Sequence, residues 1–184
     1  GVSGSYVSSP DSVAASITGD IDIRVKLSMV DWTPSAAQTI IGKAKDTNNR
    51  AFFFDLSGSS GFLRLTTDAD GPSSGQVTAS SVVSPSFTDG SANWVRVTRK
   101  MDNGAAGNDT TFYTSSDGVA WTQLGSVVTN AGVASIFDSD SPVEIGSLFL
   151  GTVQELIGSV SEAQIYNGID GTLAVSFDAN DYST

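Results

Sequence analysis

The chain has 184 residues, with 9 Lys and Arg against 20 Asp and Glu for a formal net charge of -11, and it contains neither cysteine nor histidine. The two absences exclude a disulfide framework, thiolate and zinc-thiolate chemistry, and any catalysis or metal ligation that needs an imidazole. The acidity, with its basic residues scattered instead of gathered in a stripe, disfavours nucleic acid as a partner.

No apolar run approaches the roughly 20 residues that cross a bilayer, and residues 1–10 lack the basic start and apolar core of a signal peptide. Membrane insertion is therefore not expected. Seventeen of the acidic residues are Asp, and only Glu144, Glu155 and Glu162 are Glu, so the acids favour turns over helices. Charged residues make up 16% of the chain, which leaves hydroxyls and small side chains to cover the surface. A length of this order forms one all-β domain that buries roughly 70% of its unfolded surface. Residues 1–184 are accordingly read as a single domain, of a kind suited to a virion surface or another extracellular setting.

In chain order, the first clear element is 20–27. Ile21, Ile23, Val25 and Leu27 alternate with charged residues, and this places them on one face of a strand. Further runs of β type follow at 39–42, 51–56, 61–66, 76–80, 94–99, 110–114, 121–127, 143–148, 158–166 and 172–177, bounded by Gly, Asp, Asn, Ser or Pro. Ser57-Gly58-Ser59-Ser60-Gly61 reads as a hairpin loop, as do Ser116-Asp117-Gly118 and Asn167-Gly168-Ile169-Asp170-Gly171. The best helical candidate, 130–137, is long enough for one turn. A dozen or so antiparallel strands fit most economically into a two-sheet sandwich.

Several of these runs carry a resemblance. Gly19-Asp20-Ile21-Asp22-Ile23-Arg24-Val25, Ile40-Ile41-Gly42-Lys43, Phe52-Phe53-Phe54-Asp55-Leu56, Leu63-Arg64-Leu65 and Asp89-Gly90 ahead of Trp94-Val95-Arg96-Val97-Thr98-Arg99 resemble laminin-G-like, concanavalin A-like domains. The run from Gly158 to Gly168 is similar to the closing strand of that family, which pairs with an N-terminal strand. The runs Phe112 to Gly125 and Asp170 to Asp178 look most like the versions in bacteriophage virion proteins. The resemblance implies an all-β, concanavalin A-like jelly-roll sandwich of two antiparallel sheets. It implies a glycan- or protein-binding module, sometimes with calcium on a rim loop. Such a module would belong to a tail fibre, tail tip or capsid decoration, with host cell-surface glycans, neighbouring virion subunits or further copies of itself as partners.

The residues are weighed against three chemistries. Jelly-roll glucanases carry Glu, Asp and Glu at alternate strand positions, and retaining hydrolysis wants two carboxylates about 5 Å apart. Here the comparable strand reads Asp20, Asp22, Arg24, so a glycoside hydrolase is the third choice and Asp20 and Asp22 read as a solvated strand face. For calcium, Asp68 with Asp70 and Asp138 with Asp140 each place two carboxylates two residues apart on a loop, although neither pair completes an EF-hand. The same Asp-rich loops read equally as Asx turns. For stacking on sugars, Trp32, Tyr113 and Trp121 are the surface aromatics to test, with Trp94, Tyr166 and Tyr182 as further rings; Trp94 and most of the Phe read as packing at the edge of the core.

With thiol and imidazole chemistry excluded and no carboxylate pair at catalytic strand spacing, the leading reading is a non-catalytic recognition module that binds glycans. A purely structural decoration module is the alternative.

Overall fold

Thirteen strands form within residues 6–182, the part of the chain that the computed structural model describes. They are β1 (Val7–Ser9), β2 (Ile21–Met29), β3 (Gln38–Asp46), β4 (Asn49–Leu56), β5 (Leu63–Asp68), β6 (Gln76–Ser80), β7 (Ala92–Lys100), β8 (Gly107–Ser115), β9 (Thr122–Gln123), β10 (Val128–Ala131), β11 (Val143–Ile145), β12 (Gly158–Asn167) and β13 (Thr172–Asp178). Short 3-10 turns at Val13–Ala15 and Ala179–Tyr182 are the only helical elements among the described residues.

The strands make two antiparallel sheets, a jelly-roll-type sandwich. One has six strands in the order β1-β11-β3-β4-β5-β6; the other runs β10-β8-β7-β2-β12-β13, with β9 added beside β8. Alternation decides which side of each strand is dry. Ile21, Ile23, Val25 and Leu27 of β2 point into the sandwich with Val95, Val97, Phe112, Ala163 and Ile165, and meet Phe52, Phe54, Leu56, Leu63 and Leu65 of the other sheet. Each such side chain contributes about 1.5–3 kcal/mol on burial. The closing strand β12 does pair with the N-terminal β2, from Gly158 against Met29 to Asn167 against Ile21.

Lys43 of β3 and Arg99 of β7 are buried cations on the inner side of the sandwich, and Lys43 donates to Asp11 at 2.8 Å and to the Ser139 carbonyl. Arg99 of β7 is fully buried and donates to Thr110, Thr67 and the carbonyls of Val77 and Leu65. No carboxylate is among these partners, and burial pushes its pKa down to about 10.

Three sequence expectations are corrected here. The stretch 130–137 is not helical: Val128–Ala131 is extended and pairs with Gly107–Thr110, because the edge of β8 offers backbone partners that a single helical turn lacks. The run 121–127 is not one strand, since it turns at Gly125, where φ is +71°, and only Thr122 and Gln123 pair with β8. Strand β1 was not anticipated; its residues Val7, Ser8 and Ser9 are all exposed and so carry no alternation.

Candidate functional site

The two outer faces of the sandwich differ. On the six-stranded sheet, Gly42, Phe53 and Glu144 are covered by the chain's own turn. Leu148 sits over Gly42, and the Glu144 carboxylate, fully buried, accepts the N–H groups of Leu150 and Gly151. Burial pushes the Glu144 pKa up despite those two bonds. On the seven-stranded sheet the turns carrying Gly118 and Asp170 reach over the outer face, above Trp94 and Asp22, and the residues opposite the core side form rows across the strands. One row is Gln164, Arg24, Arg96, Tyr113 and Gln123; another is Glu162, Lys26, Trp94 and Ser115; a third is Tyr166, Asp22, Thr98 and Thr111.

At the centre is Asp22, which has 0% of its surface exposed. It accepts from Arg24 (Nε to Oδ1 3.3 Å, Nη2 to Oδ2 2.7 Å) and from Arg96 (Nε to Oδ1 2.9 Å, Nη2 to Oδ2 2.8 Å), a two-pronged grip from each side. Burial alone would push the Asp22 carboxyl up, but the bonds from the two arginines outweigh it and hold the pKa below its ordinary 3.8. Both guanidiniums lose solvent, yet Asp22 holds their pKa values above the ordinary arginine value. A second carboxylate, Asp170 on the turn between β12 and β13, reaches Nη2 of Arg24 at 2.5 Å and of Arg96 at 2.8 Å through Oδ1. The Asp170 N–H donates to Asp22 Oδ2 at 3.1 Å.

Aromatic rings flank this centre on both sides. The Arg24 guanidinium lies 4.4 Å from the centroid of Tyr166, while that of Arg96 lies 5.1 Å from Tyr113 and 5.7 Å from Trp121. Trp121 meets Trp94 edge to face at 6.2 Å, and Lys26 stands 5.9 Å over Trp94. The β8–β9 turn holds Trp121 in place. Asp117 caps it by accepting the N–H groups of Val119 and Ala120, which with the Ser115 hydroxyl lower its pKa. Gly118, at φ +75°, lies flat against the Trp94 indole.

This arrangement is polar, aromatic and built on strands, the traits of a surface that holds a hydroxyl-rich ligand. No family model matches the chain, and no curated protein does. Among solved structures, the fold is similar to the CBM40 of the Ruminococcus gnavus IT-sialidase bound to α2,3-sialyllactose (TM-score 0.57, 12% identity, 91% of this chain and 93% of that one). It is similar to a Bacteroides ovatus protein provisionally assigned to carbohydrate binding (TM-score 0.64, 12% identity, 97% and 50%). It is also similar to the binding domain of botulinum neurotoxin DC in complex with SialylT (TM-score 0.53, 15% identity, 96% and 37%). The likeness is one of fold.

Within that fold the structure sorts the residues singled out from the sequence. Tyr113 and Trp121 come together as half-buried rings that both stand against Arg96. The observed register pairs Tyr113 with Gln123, one residue away from symmetry about Asp117-Gly118, and so sets Trp121 diagonal to Tyr113. Trp32 is corrected: it is 2% exposed and belongs to the core, edge to face with Phe87 at 4.9 Å, with its backbone N–H donated to Asp89 Oδ1 at 2.9 Å. The loop carrying it folds inward because Asp31 turns back on Thr33 and Gly61 packs against the Trp32 carbonyl. Trp94 is buried as expected, though beneath the Gly118 turn on the outer face and not in the core. The Tyr182 side chain and residues 1–5 lie outside the described residues.

The acidic loops resolve as turns. Asp68 accepts the N–H groups of Asp70, Gly71 and Ser73, with Arg50 at 3.7 Å, and Asp70 accepts Ser74 and the Gly75 N–H. Asp140 is held by Lys45 at 2.6 and 2.7 Å and by Asn49, while Asp138 is exposed. In these loops the carboxylate oxygens face N–H donors and cations of the chain, and no group of three or more acidic residues placed to hold a metal ion lies among the described residues. Asp20 and Asp22 are not a solvated face either: Asp20 is half-buried and accepts the Met101 N–H at 2.7 Å, and Asp22 is the best-buried carboxylate of the arginine centre.

Arg24, Arg96 and Asp170 were not read as site residues. Opposed arginines on neighbouring strands are a signal only once β2 and β7 are known to be adjacent. A concavity of about 470 Å³ lies away from this centre, between β1 and β13; Tyr6, Val7, Ile145, Leu156, Ser159 and Phe177 are among its lining, which includes no charged residue.

Proposed function

We propose that the chain is a non-catalytic recognition module that binds glycans on the outer face of its seven-stranded sheet. The observation that carries this reading is the row Gln164, Arg24, Arg96, Tyr113 and Gln123, walled by Tyr166 and Trp121. Rings supply flat apolar surface to the C–H faces of a sugar, and the guanidinium and amide groups meet its hydroxyls. Proteins of similar fold solved in complex with α2,3-sialyllactose and SialylT support the same reading. The sequence resemblance to virion domains supports a setting on a phage particle or another extracellular surface, where host-cell glycans are at hand.

A hydrolase on this face would need a carboxylic acid whose pKa is raised to hold a proton at working pH. Asp22 has its pKa lowered instead, and both its oxygens are committed to arginines, which supports a binding role. A broad glycan array is the test. Retention of the protein by a defined set of glycans, without their turnover, is the expected result; no retention by any glycan overturns the reading.

A further inference from the structure

Arg24 and Arg96 stand directly opposite each other on adjacent strands, an arrangement of like charges that needs anions to be stable. Two carboxylates supply them, and they differ in kind. Asp22 has no exposed surface and accepts from Nε and Nη2, one edge, of each guanidinium, so it is a fixed part of the sheet. The Asp170 side chain is 67% exposed and touches the arginines through one oxygen, shared between the two Nη2 atoms. We infer that the glycan ligand carries a carboxylate, and that Asp170 occupies the place of that carboxylate until the ligand displaces it. This inference rests on the glycan-binding reading and names the class of sugar.

The backbone around Asp170 is fixed independently of its carboxylate. Its N–H is held by Asp22, Gly168 donates to the Asp20 carbonyl, and Gly171 closes the turn on the Gly168 carbonyl. Rotation of the side chain alone therefore clears the arginines, with no movement of the turn. The carboxylate that turns away is two-thirds exposed, so solvent takes up its charge, while the two largely buried guanidiniums keep Asp22. A carboxylate entering from the ligand restores the charge that leaves, so the arginine pair stays neutralised throughout, and the sugar ring bearing it comes to rest between Tyr166 on one side and Tyr113 and Trp121 on the other. The net charge of -11 repels anions at a distance but is screened over about 8–10 Å at physiological salt, so selection for a carboxylate acts at contact.

Asp170→Asn separates these roles. Position 170 has φ +52°, a conformation that Asn adopts readily, so the turn is kept while the competing charge is removed. The wild-type chain and D170N are read on an array of sialylated, uronate-containing and neutral oligosaccharides, followed by calorimetry with α2,3-sialyllactose and lactose, and their thermal unfolding is compared. D170N is expected to unfold at nearly the wild-type temperature and to bind acidic glycans about fivefold more tightly, with neutral glycans unchanged. Binding of neutral glycans only, or equal strengthening for acidic and neutral ones, overturns the carboxylate assignment and leaves glycan binding intact. Binding of no glycan by either protein overturns the glycan-binding reading and the inference with it.

Discussion

Asp22 is held by Arg96 through Nε and Nη2, a bidentate grip along one edge of the guanidinium at 2.9 and 2.8 Å, with no part of the carboxylate in contact with solvent. Asp22→Asn leaves two arginines facing a neutral amide, and breaking a buried pair from one side costs about 3–5 kcal/mol. Urea unfolding at neutral pH is expected to show a loss of that size. Because the folded pKa of Asp22 lies below 3.8, its ionised form contributes stability above that value and loses it as the pH falls through the folded pKa. The gap between the wild-type chain and D22N should therefore narrow as the pH is lowered below about 4. A gap that is constant with pH would mean that the charge of Asp22 is not what holds the centre.

Gly118 lies so close to Trp94 that an added Cβ would stand 2.6 Å from the indole Cε2, and its φ of +75° is strained for any L side chain. Gly118→Ala is expected to destabilise the chain by about 1–3 kcal/mol through overpacking and backbone strain. Tryptophan fluorescence should shift in the native state, since Trp94 and Trp121 both move. An unchanged spectrum and stability would contradict the packing of this turn.

Trp32 belongs to stability and not to binding. Trp32→Ala is expected to cost about 3–5 kcal/mol, as other large core aromatics do. Its folded fraction should keep wild-type glycan affinity, measured by calorimetry at low temperature. Loss of binding at unchanged stability would return Trp32 to the surface role that its loop sequence suggests.

The Asp68 carboxylate spends its oxygens on three backbone N–H groups. Calcium at about 1 mM, where extracellular modules bind it, is therefore expected to leave the unfolding temperature unchanged. A rise of several degrees, abolished by Asp68→Asn, would show that the loop rearranges around the cation.

The strands were legible wherever one face is dry and the other wet. β2 and β6 fall almost where alternation puts them, and the hairpin loops at 57–61 and 167–171 join the strands expected. β1 was not legible, because an edge strand with all three residues exposed has no pattern to read. The site was half legible. Tyr113 and Trp121 lie on one hairpin, so local turn chemistry brings them together. Arg24, Arg96 and Asp170 are joined by strand order, which no local pattern encodes, and Trp32 was misplaced because residues flanking a loop tryptophan do not say whether the loop folds inward.

The proposed glycan site is the face walled by Tyr113 and Trp121. Its most direct test is the glycan array read with the wild-type chain beside the double variant Tyr113→Ala, Trp121→Ala, at a temperature where both are folded. Loss of each stacking ring removes at least about 1 kcal/mol of affinity, so at least a tenfold weakening is expected for every glycan the wild-type chain retains. Equal retention by the two proteins would contradict it.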